Sequence, residues 1–284
     1  TYIMLYYNNE IYYGGKVMEK KLLKRSLSFA MMIAVVFSTI IASSFIKANA
    51  AETEKAVTLT QGENTSQHDT VQEAVAAVAA DNTQAVITLN KDFEGAGAVV
   101  KKDQNIVFNL NGFTWNINSL VGSSGTETNG VQLLQGSTVT IENGTLTSKT
   151  AKLLIQNYCD LTIRNATLSG QDNLTEIIVS NNNGSTVITG NSAVQAAAGG
   201  IAFDSDKWGG YQGGNVTLEN GQVIGNVNAT NGGKISLNGG TVTGDVIASN
   251  YTYQGNEKTP ANIVIDGATI NGNVTAQNIG NISI

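Results

Sequence analysis

One proline, one cysteine and one histidine occur in the whole sequence, and only 13% of its residues are charged. Each scarcity excludes something. A lone Cys159 cannot form an internal disulfide, and its setting just before a strand reads as a packed apolar residue rather than a nucleophile. From Ala51 onward Arg164 is the only arginine, and ten Lys/Arg stand against twenty Asp/Glu, a net charge near −10. An acidic, nearly arginine-free surface argues against nucleic acid as a partner, and none is expected. Thirty-one glycines against one proline suit short strands and tight turns, because glycine reaches backbone conformations closed to other residues.

The first fifty residues read as separate from the fold. From Met18 the order is Glu19-Lys20-Lys21-Leu22-Leu23-Lys24-Arg25, an apolar run from Phe29 to Ile41, then Ala48-Asn49-Ala50. That basic, apolar, small-x-small order predicts a secretory signal peptide over 18–50, cleaved after Ala50. A membrane anchor over Ser26 to Ile46 is the alternative, since roughly 20 residues span a bilayer; the polar Ser38, Ser43 and Ser44 and the Ala-x-Ala end favour cleavage. No transmembrane segment is expected in the mature chain, which is predicted to be extracellular or at the cell surface. Residues 1–17 begin without Met and hold five of the nine tyrosines, and are expected to be leader translated by mistake.

What the mature chain does have is a repeat. Val139-Thr-Ile141-Glu-Asn-Gly144-Thr-Leu146-Thr-Ser148 recurs from Leu161, Val216, Ile235 and Ile263. Each copy alternates apolar and polar residues on both sides of an Asn, Gly or Ala turn, the pattern of two short strands. A third strand follows the later copies at Val227-Asn-Ala229, Val246-Ile-Ala248 and Val274-Thr-Ala276. The pattern predicts an all-β fold, a right-handed single-stranded parallel β-helix (solenoid), with insertions confined to corner loops. Val139, Leu161, Val216, Ile235 and Ile263 should form one inward column, and Leu146, Leu168, Val223, Val242 and Ile270 a second. The corner residues Asn143, Asn165, Asn220 and Asn238 are expected to stack as amide ladders. An up-and-down barrel or a sandwich of hairpins is the remaining alternative.

Thr70-Val71-Gln72-Glu73 is a capping box, and Val71, Ala74, Val75 and Val78 make the apolar stripe of a short capping helix. The expected division is an N-terminal cap over 51–105 (this helix plus the strands Ala85–Leu89 and Ala98–Lys101) and coils over 106–284. The first full coil is expected at Ile106. The closing Gly280-Asn-Ile282-Ser-Ile284 opens a further repeat, so a fragment truncated at the C-terminus is expected.

The capped start, the Asn-Leu-Asn-Gly step from Asn109 to Gly112 and the repeated Asn-Gly-Thr turns resemble the pectate-lyase-like right-handed parallel β-helix superfamily. They are most similar to its adhesin-like bacterial surface members, over roughly Val57 to Ile284. The resemblance implies architecture more than function, because that fold hosts lyases, hydrolases and non-catalytic binders alike. The family's enzymes need clustered charged groups on one face, and the hydrolase-type Asp-Asp, Gly-His-Gly and Arg-x-Lys steps are missing from this sequence. Arg164 shares its repeat position with Glu142, Glu219, Asn238 and Asp266 and reads as a solvated strand-end charge; His68 reads as loop. No catalytic residue is assigned. The expected function is that of a secreted or cell-surface, non-catalytic, adhesin-like protein. The alternative is a polysaccharide lyase or glycoside hydrolase whose active-site coils lie outside this sequence.

The most distinctive non-repeat stretch runs from Phe203 to Gly214 and is expected to bulge as a corner loop. Its candidate glycan contacts are Asp204, Asp206, Trp208 and Tyr211, the aromatics offering flat apolar faces and the carboxylates accepting from sugar hydroxyls. The competing reading folds these aromatics back over the strands. Ca²⁺ at Asp204 and Asp206 is chemically open, but two carboxylates are too few for a calcium cage, so no cofactor is expected. Thr145-Leu-Thr147 and Thr241-Val-Thr243 resemble the ladders of ice-binding faces, yet Gln222, Ile224 and Asn271 break the column, and strand propensity accounts for the threonines.

Overall fold

The computed structural model describes residues 5–7, 10–13, 16–17, 55–170, 175–207, 210–249 and 259–284. The chain divides into two units, Thr1–Glu54 and Lys55–Ile284. In the first, Leu5–Tyr7, Glu10–Tyr13 and Lys16–Val17 form an antiparallel sheet. The predicted signal peptide over 18–50 lies outside the described residues.

The second unit is nearly all β, and its strands pair mainly in parallel. Alternation at the repeat explains this arrangement. In Thr138–Ser148, Val139, Ile141 and Leu146 are buried, and the whole strand pairs in parallel with Asp160–Gly170, bringing Val139 beside Leu161, Ile141 beside Ile163 and Leu146 beside Leu168. The same register runs through successive repeats. Ile106, Val139 and Leu161 align, and so do Val216, Ile235 and Ile263. Trp115, Leu146, Leu168, Val194, Val223, Val242 and Ile270 form the second column. These two columns belong to one 17-stranded sheet. The third strands form a separate 8-stranded parallel sheet, in which Val131, Ile155, Val179, Phe203, Val227 and Val246 align. A strand buried on its inward face by every neighbour gains from each added repeat, which is how such short strands hold together.

The structure adds one whole repeat to those visible in the sequence. Ser185–Thr189, Ala193–Gln195 and Ile201–Ser205 sit between the copies that begin at Leu161 and Val216. The inward place taken elsewhere by Leu161 and Val216 is occupied here by Thr186, fully buried. Its hydroxyl donates to Asn181 Oδ1 at 2.8 Å and accepts from Asn157 Nδ2 at 3.0 Å. Asn157 Nδ2 also donates to Asn181 Oδ1 at 2.7 Å. The amide ladder therefore lies inside the fold. At the predicted corner, Asn143 donates to Asn109 (3.3 Å) and Asn165 Oδ1 accepts from the backbone N–H of Asn191 (2.9 Å).

Turn geometry changes along the stack. Asn143 and Asn165 take the left-handed conformation themselves, with φ of 59° and 51°. In the copies from Val216 and Ile235 the left-handed residue is one place further on, at Gly221 and Gly240, and in the copy from Ile263 it is back at the first place, at Gly267. A Cβ at Gly240 would lie 2.6 Å from the Gly221 carbonyl oxygen, so close turn-on-turn approach as well as φ demands glycine there.

At the N-terminal end the helix forms over Val71–Ala77, with Thr70 accepting from the Glu73 N–H at 3.1 Å and Glu73 accepting from the Asp69 N–H. Val71, Ala74, Val75 and Val78 are all buried. Gln104 donates to the carbonyls of Val75 and Val78, 3.0 Å each, which satisfies the helix C-terminus from the ladder itself. Three features differ from expectation. Val57–Gln61 and Asn64–His68 form an antiparallel hairpin whose first strand also pairs with Gln84–Leu89. His68 thus ends a strand rather than lying in a loop. The parallel ladder already begins at Gln84–Leu89, which pairs with Asn105–Asn109, one repeat earlier than Ile106.

Candidate functional site

Phe203 and Asp204 are not in a loop. They belong to the strand Ile201–Ser205, where Phe203 is buried in the third inward column beside Val179 and Val227. Because side chains alternate along a strand, Asp204 faces outward, Ser205 is fully buried, and Asp206 returns to the outward side. The loop proper begins only at Asp206.

Two columns meet at these residues. Register places Gln132, Gln156, Ser180, Asp204 and Asn228 side by side in successive third strands. Two places further along, directly after their strands, stand Tyr158 and Asn182, both buried, and Asp206 and Thr230, both half-buried. Asn129 and Gln132 both donate to Gln156 Oε1, at 2.9 and 2.8 Å, and Gln156 Nε2 donates to the Tyr158 hydroxyl at 3.0 Å. Asn182 Nδ2 donates to Asp206 Oδ1, and Thr230 Oγ1 donates to Asp204 Oδ1 at 3.1 Å. Tyr211 lies on Tyr158 with ring centroids 4.7 Å apart and planes inclined by 39°. The turn is tied down by Asp206, whose N–H donates to the Asn181 carbonyl (3.1 Å) and whose own carbonyl accepts from the Gly214 N–H (2.9 Å).

The electrostatics follow from packing carboxyls with few donors. Burial, then the nearby Asp206, raise the Asp204 carboxyl to about 7, against a partial offset from Thr230. Burial raises Asp206 as well, and its bond from Asn182 works the other way. Burial pushes the Tyr158 hydroxyl up to about 12, helped by Tyr211 and Asp206. The Cys159 thiol, buried next door, is likewise pushed to about 12, so it is not a thiolate nucleophile at neutral pH. Among the described residues no group of three or more His, Cys, Asp or Glu is arranged to hold a metal ion. No described helix is long and apolar enough to cross a membrane.

Of the four residues singled out in the sequence, Asp204, Asp206 and Tyr211 come together on one face, and Trp208 lies outside the described residues. Tyr211 folds back onto Tyr158 instead of standing free. Tyr158, Gln156, Asn182 and Thr230 escaped sequence reasoning, although a signal was present. Asn157 to Asn181 and Asn182 to Asp206 are each 24 residues apart, a spacing hidden behind the more conspicuous first and second strands. Arg164 forms an ion pair with Glu142, its register partner in the preceding repeat, through two nitrogens. The chain matches no protein-family model, no curated protein and no solved structure.

Proposed function

We propose that the parallel strands of Lys55–Ile284 close into a right-handed β-helix, and that the protein is exported by its 18–50 segment as a non-catalytic, adhesin-like surface protein that contacts glycans. The reading keeps the resemblance to the pectate-lyase-like superfamily as an analogy of architecture. One observation carries it: two adjoining columns of amide, hydroxyl and carboxyl groups, running through Asp204 and Asp206 to Asn228 and Thr230, lie beside the Tyr158–Tyr211 ring pair. Polar groups that fix orientation next to a flat aromatic surface are what sugar recognition requires. No catalytic step is assigned to the two carboxyls, and no cofactor is invoked.

The test is a polysaccharide array probed with the mature chain and with Tyr211→Ala, Asp206→Asn and Trp208→Ala. Binding that falls about ten-fold in these variants while the melting temperature holds supports the reading. Binding that is absent, or unchanged in all three, refutes it.

A further inference from the structure

We propose that the outer side of the first-strand ladder is a contact between two copies of this chain, packed sheet to sheet about a two-fold axis that runs along the ladder. This side belongs to the 17-stranded sheet, whereas Asp204 and the face proposed above for glycans belong to the 8-stranded one, so neither reading depends on the other.

The outward places at the centre of the first strands hold only short, uncharged residues. Register sets Thr140, Thr162, Val187, Thr217, Ser236, Val264 and Ser283 side by side in successive repeats. Their neighbours along the strand, such as Leu161 with Ile163 and Ile235 with Leu237, are buried, so this column stands on the opposite side of the sheet. Thr140, Thr162, Val187, Thr217 and Ser236 are half-buried, and Val264 and Ser283 are exposed. From Ala51 onward ten Lys/Arg stand against twenty Asp/Glu, so two copies repel each other at most approaches, but not through a column without charge. The column also has no aromatic ring on which a sugar could stack, which separates it from the Tyr158–Tyr211 face.

The residues that flank the column fix the direction of the axis. A two-fold axis along the ladder lays each strand antiparallel over its own copy. Each central residue then faces itself, and the residue two places before the centre faces the one two places after it. Around Thr162 this sets the exposed Asp160 against the exposed Arg164 of the second copy, twice in the dimer. In the other strands the charged Glu142, Glu219, Lys234 and Asp266 face the neutral Thr138, Asn215, Asn238 and Asn262, so no like charges are opposed. An axis along the strands, with the same overlap, would instead set Glu219 against its own copy. The area suffices for a specific contact. Seven strands about 4.8 Å apart, each contributing five residues of about 3.3 Å, cover about 550 Å² per copy and about 1,100 Å² in all, just above the roughly 1,000 Å² that such an interface needs.

Sedimentation velocity on the full chain over a concentration series tests the contact, and the unsubstituted chain should become dimeric toward the upper end. Thr162→Lys and Thr217→Lys each place a positive charge opposite itself and should weaken association at least about ten-fold. Gln222→Lys, at an exposed place on the adjoining second strand, should leave association unchanged. Because Thr162 faces its own copy, an equal mixture of Thr162→Lys and Thr162→Glu chains should recover the association that each lacks alone. Circular dichroism of each variant separates misfolding from a lost contact. Four outcomes overturn the proposal: an unsubstituted chain that stays monomeric throughout, lysine variants that associate as before, equal weakening by Gln222→Lys, or a mixture that does not recover. A monomer that binds polysaccharide and loses that binding in Thr162→Lys overturns it too, since a glycan then occupies this side. The unsubstituted chain alone suffices to refute the dimer.

Discussion

Two stretches of the same ladder solve the interior differently. From Asn215 to Ala248 every inward place is aliphatic and shut off from water: Val216, Leu218, Val227, Ile235, Leu237 and Val246 are at most 1% exposed. From Leu153 to Ser205 four equivalent or neighbouring inward places are polar, Asn157, Asn181, Thr186 and Ser205, all at 0%. Asn157, Asn181 and Ser205 occupy the places that Leu133 holds before them and Ala229 and Ala248 after them. The polar places are paired in large part and not completely: Asn181 Oδ1 accepts from Asn157 and Thr186, while its Nδ2 is buried with no partner. Asn157 bonds to Asn181, Thr186 and both backbone groups of Cys159, and Ser205 donates to the Lys234 carbonyl. A buried amide so paired is tolerated; one left open is costly.

The sharpest way to break the contrast is a charge in the aliphatic half. Leu237→Asp should cost about 4 kcal/mol or more, because nothing in that column can pair with a carboxylate, whereas outward Ser236→Asp should cost under about 0.5 kcal/mol. Urea unfolding of the two variants checks the alternation; equal losses contradict it.

A smaller effect is expected in the polar half. Asn157→Leu strips donors and acceptors from Asn181, Thr186 and Cys159 and should cost about 2–3 kcal/mol, despite adding apolar volume. Replacing the set together, Asn157→Leu with Asn181→Leu and Thr186→Val, should recover much of that loss, since no partner is then left stranded. If the single and the combined variants are equally destabilised, the network is not what sustains this stretch.

The third test is pH. The folded chain holds the Asp204 proton more tightly than an unfolded carboxyl with its ordinary value of 3.8, so its stabilisation is complete below that value and is lost as pH rises through about 7. The melting temperature should fall by about a few degrees between pH 5 and pH 8. Asp204→Asn should flatten that slope, which distinguishes this residue from the general repulsion of an acidic chain.

The smallest change concerns the surface. Glu142→Gln should weaken the pairing with Arg164 by no more than about 1 kcal/mol in a thermal melt, because Arg164 is half exposed. Unlike the amide network, this pair has one partner, Arg164, open to water that competes for it, whereas the Glu142 side chain is only 12% exposed.

Which of these features could be read from the residues alone follows a physical division. Aliphatic alternation is a property of single strands, so Val139, Leu161, Val216, Ile235 and Ile263 announced their column, and Thr70 with Glu73 announced the helix start. The repeat at Ser185–Ser205 stayed hidden because Thr186 at its first inward place looks outward by type. Only the proximity of Asn157 and Asn181 makes it an interior residue. The same holds at the face around Asp204. Its carboxyls and Tyr211 could be picked out as unusual residues in an acidic, repetitive chain, but Tyr158 and Thr230 reach them across neighbouring repeats, through parallel register. Composition and periodicity are local and survive in one dimension; hydrogen-bond satisfaction, proton affinity and ring contacts depend on which repeats lie side by side, and that is decided when the strands stack.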